Sequence, residues 1–102
     1  MFVHTIFFWL KEDAPSSEKD ALVRDCFELL GKIPSVRHVW AGAPAMTPRD
    51  VVDNSYHAGL TVVLDDIQGH DIYQEHSLHL EFLRLHKAHW ARLKVYDFNS
   101  SI

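Results

Sequence analysis

"FVHTIFFWLK", residues 2–11, decides the fold of this chain. It is rich in aromatic and β-branched residues and apolar at almost every position, which is the composition of a strand. A strand apolar on both faces must be covered on both faces. The even set (His4, Ile6, Phe8, Leu10) and the odd set (Val3, Thr5, Phe7, Trp9) therefore each require a layer of protein against them. The apolar run stops at Lys11-Glu12-Asp13 and has no basic region before it. It is too short to span a membrane and lacks the form of a signal peptide, so a cytoplasmic location is expected.

Working outward, "EDAPSSEKD" (12–20) carries turn and cap chemistry, with Ser16 or Ser17 as N-cap. Ala21, Leu22, Cys26, Leu29 and Leu30 then recur at helical spacing, and Gly31 marks the stop. "VRHVWAG" (36–42) reads as a second strand, "APAMTPRDVVDNS" (43–55) as a loop, and "YHAGLTVVL" (56–64) as a third strand. Two helical pieces follow over 66–76 and 77–90, with Ser77 as a cap between them. "RLKVYDF" (92–98) completes the series as a fourth strand. Strand, helix, strand, strand, helix, strand is the α+β ferredoxin-like order: a four-stranded antiparallel sheet with helices on one face, in a single domain over 1–102. The other face of the sheet stays bare. A second subunit is its simplest cover, giving a dimeric α/β barrel with Val3, Thr5, Phe7, Trp9, Leu60 and Val62 toward the partner.

Composition narrows the chemistry. The formal net charge is −4, which argues against a nucleic-acid surface; Arg84, Lys87, Arg92 and Lys94 read as a solvated face. Cys26 is the only cysteine, so no intrachain disulfide forms, and its place in the first helix makes it a small core residue. Eight histidines remain, five of them between residues 70 and 89. His76 and His79 are three apart, as are His86 and His89, a spacing that can chelate on a helix. No thiolate or suitably spaced carboxylate joins them, so neither a metal nor another cofactor is expected. His38, His70, His86 and His89 are expected at the surface, with His76 a helix-start neighbour. His79 stands out because a helix start favours the neutral, proton-accepting ring. Parity puts His4 with Ile6 and Phe8, and His57 with Gly59 and Thr61. If both sets face the helices, His4 and His57 line one cavity, with room left at Gly59.

The blocks "FVHTIFFWLK", "KIPSVRHVWAG", the His57 strand, "YQEHSLHLEF" and "WARLKVYDF" fall in an order that resembles the stress-responsive dimeric α/β-barrel domain (Dabb) family over nearly the whole chain. The most diagnostic piece is His76-x-x-His79 before Leu-Glu-Phe. The family commonly shows His-Pro-x-His there, and this chain has Ser77 at the proline position. The resemblance implies a small homodimer, in a family mostly without assigned chemistry and partly linked to stress tolerance. It also implies a possible site, because a plant member is a polyketide cyclase whose base and tyrosine match His79 and Tyr73. That cyclase's pocket histidines match His4 and His57. Leu22, Val23 and Cys26 stand where the cyclase has aromatics, and Trp9 replaces a common lysine, so a differently shaped cavity is expected.

Three functions follow as expectations. One is a stress-associated dimer binding a small apolar or polyketide-like molecule in a pocket of His4, Ile6, Phe8, His57, Gly59, Val23, Cys26 and Phe82. Another is a cyclase- or lyase-like enzyme with His79 as general base and Tyr73 as its partner. The third, by fold-level analogy alone, is a cofactor-independent monooxygenase.

Overall fold

The computed structural model describes residues 1–101. The elements are β1 (Phe2–Leu10), α1 (Glu18–Glu28), β2 (Val36–Gly42), β3 (Ala58–Leu64), α2 (Ile67–Glu75), α3 (Ser77–His86) and β4 (Trp90–Asn99), with short 3-10 turns at Leu30–Lys32 and Lys87–His89. The strands form one antiparallel sheet in the order β2-β3-β1-β4. This is the ferredoxin-like arrangement expected from the order of elements.

The apolar alternation of β1 divides as its sequence demands. Phe2, His4, Ile6 and Phe8 are buried toward the helices, while Val3, Thr5, Phe7 and Trp9 are half-buried on the open side. Register then fixes β3. Ile6 lies opposite Leu60 and His4 opposite Val62, so the helix-side set of β3 is Ala58, Leu60, Val62 and Leu64, all buried. Thr5 faces Thr61 on the open side, where their hydroxyls are 3.1 Å apart. This corrects two expectations. Leu60 and Val62 belong to the core rather than to the exposed face. Gly59 belongs to the exposed face, under Phe7 and Tyr56. The physical reason is that Ala58, Leu60, Val62 and Leu64 form the wholly apolar set, which loses most by facing water.

Helix α1 buries Leu22 and Cys26, and Leu30 and Ile33 beyond it are also buried. Burying each such aliphatic side chain is worth about 1.5–3 kcal/mol. Ser17 occupies the N-cap position of α1 but makes no side-chain capping bond. Asp66 caps α2 through Gly69 N–H at 2.9 Å. The cap of α3 is His76, whose Nδ1 accepts from Leu78 N–H at 3.0 Å, so Ser77 is the first helical residue and not the cap.

His86, expected at the surface, is buried. Its Nδ1 lies 2.8 Å from Glu18 Oε2 and its Nε2 2.7 Å from Asp25 Oδ2. Both carboxylates come from α1, so this clamp fastens α3 to α1. The ring is inside because His79, Phe82 and His86 share one face of α3, the buried one.

Candidate functional site

A cavity of about 190 Å³ lies between the sheet and the two later helices. β1 supplies His4, Ile6 and Phe8 to its floor, and β4 supplies Leu93 and Val95. Tyr73 and Gln74 come from α2, and His79 and Phe82 from α3. Trp90 closes one end, packed on Phe8 and Phe82. Leu93 and Val95 remain substantially exposed, so the cavity opens along β4.

The cavity walls are largely apolar and their polar groups are few. Tyr73 and His79 meet edge-on, with ring centroids 4.8 Å apart, and His4 approaches Tyr73 at 5.9 Å. Tyr73 is fully buried, and neither its hydroxyl nor Nδ1 of His79 has a well-formed hydrogen bond. Burial pushes the Tyr73 phenol well above its ordinary pKa, with the nearby Cys26 thiol adding to the effect. Burial lowers the His79 pKa, helped by the His4 ring and opposed by the Gln74 carbonyl. Burial likewise lowers the His4 pKa, although Asp97 works against it. His4 Nδ1 lies 2.5 Å from Asp97 Oδ1, which leaves Nε2 as its free nitrogen. The arrangement is thus two imidazoles that favour the neutral form beside a phenol that keeps its proton. Such a set can accept a proton at one atom and donate a hydrogen bond at another.

The expected site residues divide clearly. His4, Ile6, Phe8, Tyr73, His79 and Phe82 are brought together around the cavity. Cys26 is packed in the core, its thiol pushed up to about 12, first by burial and then by Asp25. Val23 is half-buried against that core, and neither residue lines the cavity. His57 is exposed at the far end of β1. Its N–H donates to Phe8 O at 2.8 Å and its Nδ1 accepts from Leu10 N–H at 3.0 Å, so it extends the β1–β3 ladder instead of joining the pocket. The same register that turned Gly59 outward removed His57.

Sequence reasoning missed Asp97 and His70. His70 is half-buried, with its ring 5.0 Å from His4 and 4.8 Å from Phe2. Asp97 could have been found by pairing the terminal strands antiparallel, because His4 and Asp97 are direct cross-strand partners.

A four-stranded antiparallel sheet covered on one face by helices is the architecture of the dimeric ferredoxin-like proteins. The chain belongs to the Dabb family, the stress responsive A/B barrel domain, which it matches over residues 2–100. A dimeric ferredoxin-like protein of unknown function from Thermobifida fusca superposes with a TM-score of 0.82 at 18% identity, over 97% of this chain and 90% of that one. A Dabb family protein from Mesorhizobium loti superposes at 0.77 with 24% identity, over 97% and 95%. Hydroxynitrile lyase from Passiflora edulis superposes at 0.78 with 16% identity, over 99% and 95%. At these identities the likeness speaks to fold alone. No curated protein matches the sequence significantly.

Proposed function

We propose that this chain is a single-domain homodimeric Dabb protein that binds a small, mostly apolar molecule with an oxygen-bearing head group in the cavity between sheet and helices. One observation carries the reading: the hydroxyl of Tyr73 and Nδ1 of His79 are buried without good partners in an apolar enclosure. Orphaned buried polar atoms cost stability, and a ligand's carbonyl or hydroxyl would satisfy them. Acetophenone and ethylbenzene have nearly the same shape and differ in the oxygen. Acetophenone is expected to move the Tyr73 and His79 resonances at concentrations where ethylbenzene does not. Equal binding of the two would remove head-group recognition from this reading.

The lowered His79 pKa favours a second, catalytic reading. His79 acts as a general base on an acidic carbon next to a carbonyl, with Tyr73 hydrogen-bonded to the carbonyl oxygen, in a cyclase- or lyase-like reaction. The similarity in fold to a hydroxynitrile lyase is compatible with such proton chemistry. Deuterium exchange into the methyl group of acetophenone tests it without knowledge of the natural substrate. Exchange above the buffer rate that vanishes in His79→Ala supports the base; a rate equal to buffer leaves a binding protein.

Dimerisation is supported by the open sheet face. Phe7, Trp9, Tyr56 and Tyr96 gather there around a shallow concavity, and Trp40 and Phe98 are exposed. Val3, Thr5, Phe7 and Trp9 are the proposed contacts. Phe7→Asp should turn a sedimenting dimer into monomer or aggregate; an unchanged dimer would move the interface elsewhere. Among the described residues no helix is long and apolar enough to cross a membrane. The cytoplasm is the proposed location, in keeping with a lone, buried and unpaired cysteine.

A further inference from the structure

We propose that His4, His70 and Asp97 form a binding site for one divalent transition-metal ion at the rim of the cavity. One ligand atom from each of the three lies within 4.8 Å of the other two. Each comes from a different element: His4 from β1, His70 from α2 and Asp97 from β4. His4 and Asp97 are held side by side by the register of β1 and β4, so two of the three positions are fixed by backbone hydrogen bonds. The third sits on a helix packed over the sheet, its ring inclined 68° to that of His4. Side chains that are 93 positions apart in the chain could not reveal this site through sequence spacing.

The donor set selects the ion. Two imidazole nitrogens and one carboxylate oxygen suit zinc, cobalt, nickel or copper, whereas calcium and magnesium require mostly oxygen ligands. Nitrogen and oxygen atoms sharing a tetrahedral zinc lie about 3.3 Å apart, from bonds of about 2.0 Å. The observed separations bracket that value, from the 2.5 Å His4–Asp97 contact to the 4.8 Å limit of the group. Small side-chain rotations therefore suffice. The ion would take the place of the hydrogen bond between His4 and Asp97. His70 is otherwise held by two long contacts, 3.2 Å to Asp71 and 3.3 Å to Gln74, and one of them must be surrendered. Three protein ligands leave a fourth position open, the pattern of a reactive or ligand-binding centre rather than a closed structural one. His4 also lines the cavity, so the metal site adjoins the space proposed for the small molecule. The metal site does not depend on the assignment of that molecule.

Calorimetric titration of metal-stripped dimer with zinc, and absorption spectra with cobalt, test the site. One ion per chain should bind at low micromolar concentration, with cobalt giving the visible bands of nitrogen and oxygen coordination. His70→Gln and Asp97→Asn should each weaken zinc at least about tenfold, since even altering an outer-shell partner costs that much. His89→Gln, on the turn before β4 and outside the cluster, should bind as the parent does. Zinc affinity unchanged in both His70→Gln and Asp97→Asn would overturn the proposal. So would equal loss in His89→Gln, which would indicate scattered binding to histidines outside the cluster. Melting curves of the metal-free variants serve as the folding control. If His70→Gln does not fold, Asp97→Asn decides alone, because Asp97 is partly exposed and its amide keeps the shape.

Discussion

Two imidazoles share the buried face of α3, His79 in its first turn and His86 in its last. His86 is flanked by carboxylates on both nitrogens, Glu18 on one side and Asp25 on the other. His79 has no carboxylate and no well-formed bond at Nδ1, and burial drives it toward the neutral form. The residue type, the helix and the burial are the same; the neighbours differ. Partners supplied by α1 make one histidine a fastener, and their absence makes the other available to a ligand.

Three measurements can break or sharpen this contrast. His86→Leu should have the largest effect. It strands Glu18 and Asp25 with little access to water, and leaving a buried polar group without its partner costs about 1–3 kcal/mol, more for a charged one. Urea unfolding midpoints read that loss; a loss no larger than for an exposed residue would deny the clamp. His79→Phe should be much milder, less than about 1.5 kcal/mol, because an apolar ring of similar volume replaces a poorly satisfied polar one. If it destabilised as much as His86→Leu, His79 would be structural too.

The smallest effect concerns pH. The folded pKa values of His4 and His79 lie below the unfolded value of about 6.5, so the unfolded chain takes up protons first as pH falls. These two rings therefore cost nothing above that pH and destabilise the fold progressively below it. His79→Phe removes one of them, and its stability should fall less steeply between about pH 7 and pH 5 than that of the parent. An identical slope would mean that His79 titrates as it does when unfolded.

The sequence made the scaffold legible because β1 is apolar on both faces and its neighbours alternate or repeat at clean periods. The core of the candidate site was also readable. His4 followed from β1 parity, and Tyr73 and His79 from the resemblance around the start of α3. The errors have physical causes. β3 has apolar residues on both faces, so local pattern left its facing to the register, and His57, Gly59, Leu60 and Val62 were assigned the wrong way round. The register itself could have been anticipated by asking which alternate set of β3 contains no polar residue. His86 looked like decoration because Glu18 and Asp25 sit more than sixty positions away. Its spacing from His79 and Phe82 nevertheless put it on the buried stripe of α3. Asp97 was hidden for the same reason of distance, since only the pairing of the first and last strands brings it to His4.

Cys26 gives the molecule a built-in clock. It is the only thiol in the chain, it is almost wholly shielded, and burial keeps it far from the reactive thiolate. A thiol reagent in solution can therefore capture it only when α1 lifts from the sheet. The rate of labelling then counts those openings in the wild-type protein, with no engineered probe. Because α1 also carries both carboxylates of the His86 clamp, the same clock registers how firmly that clamp holds.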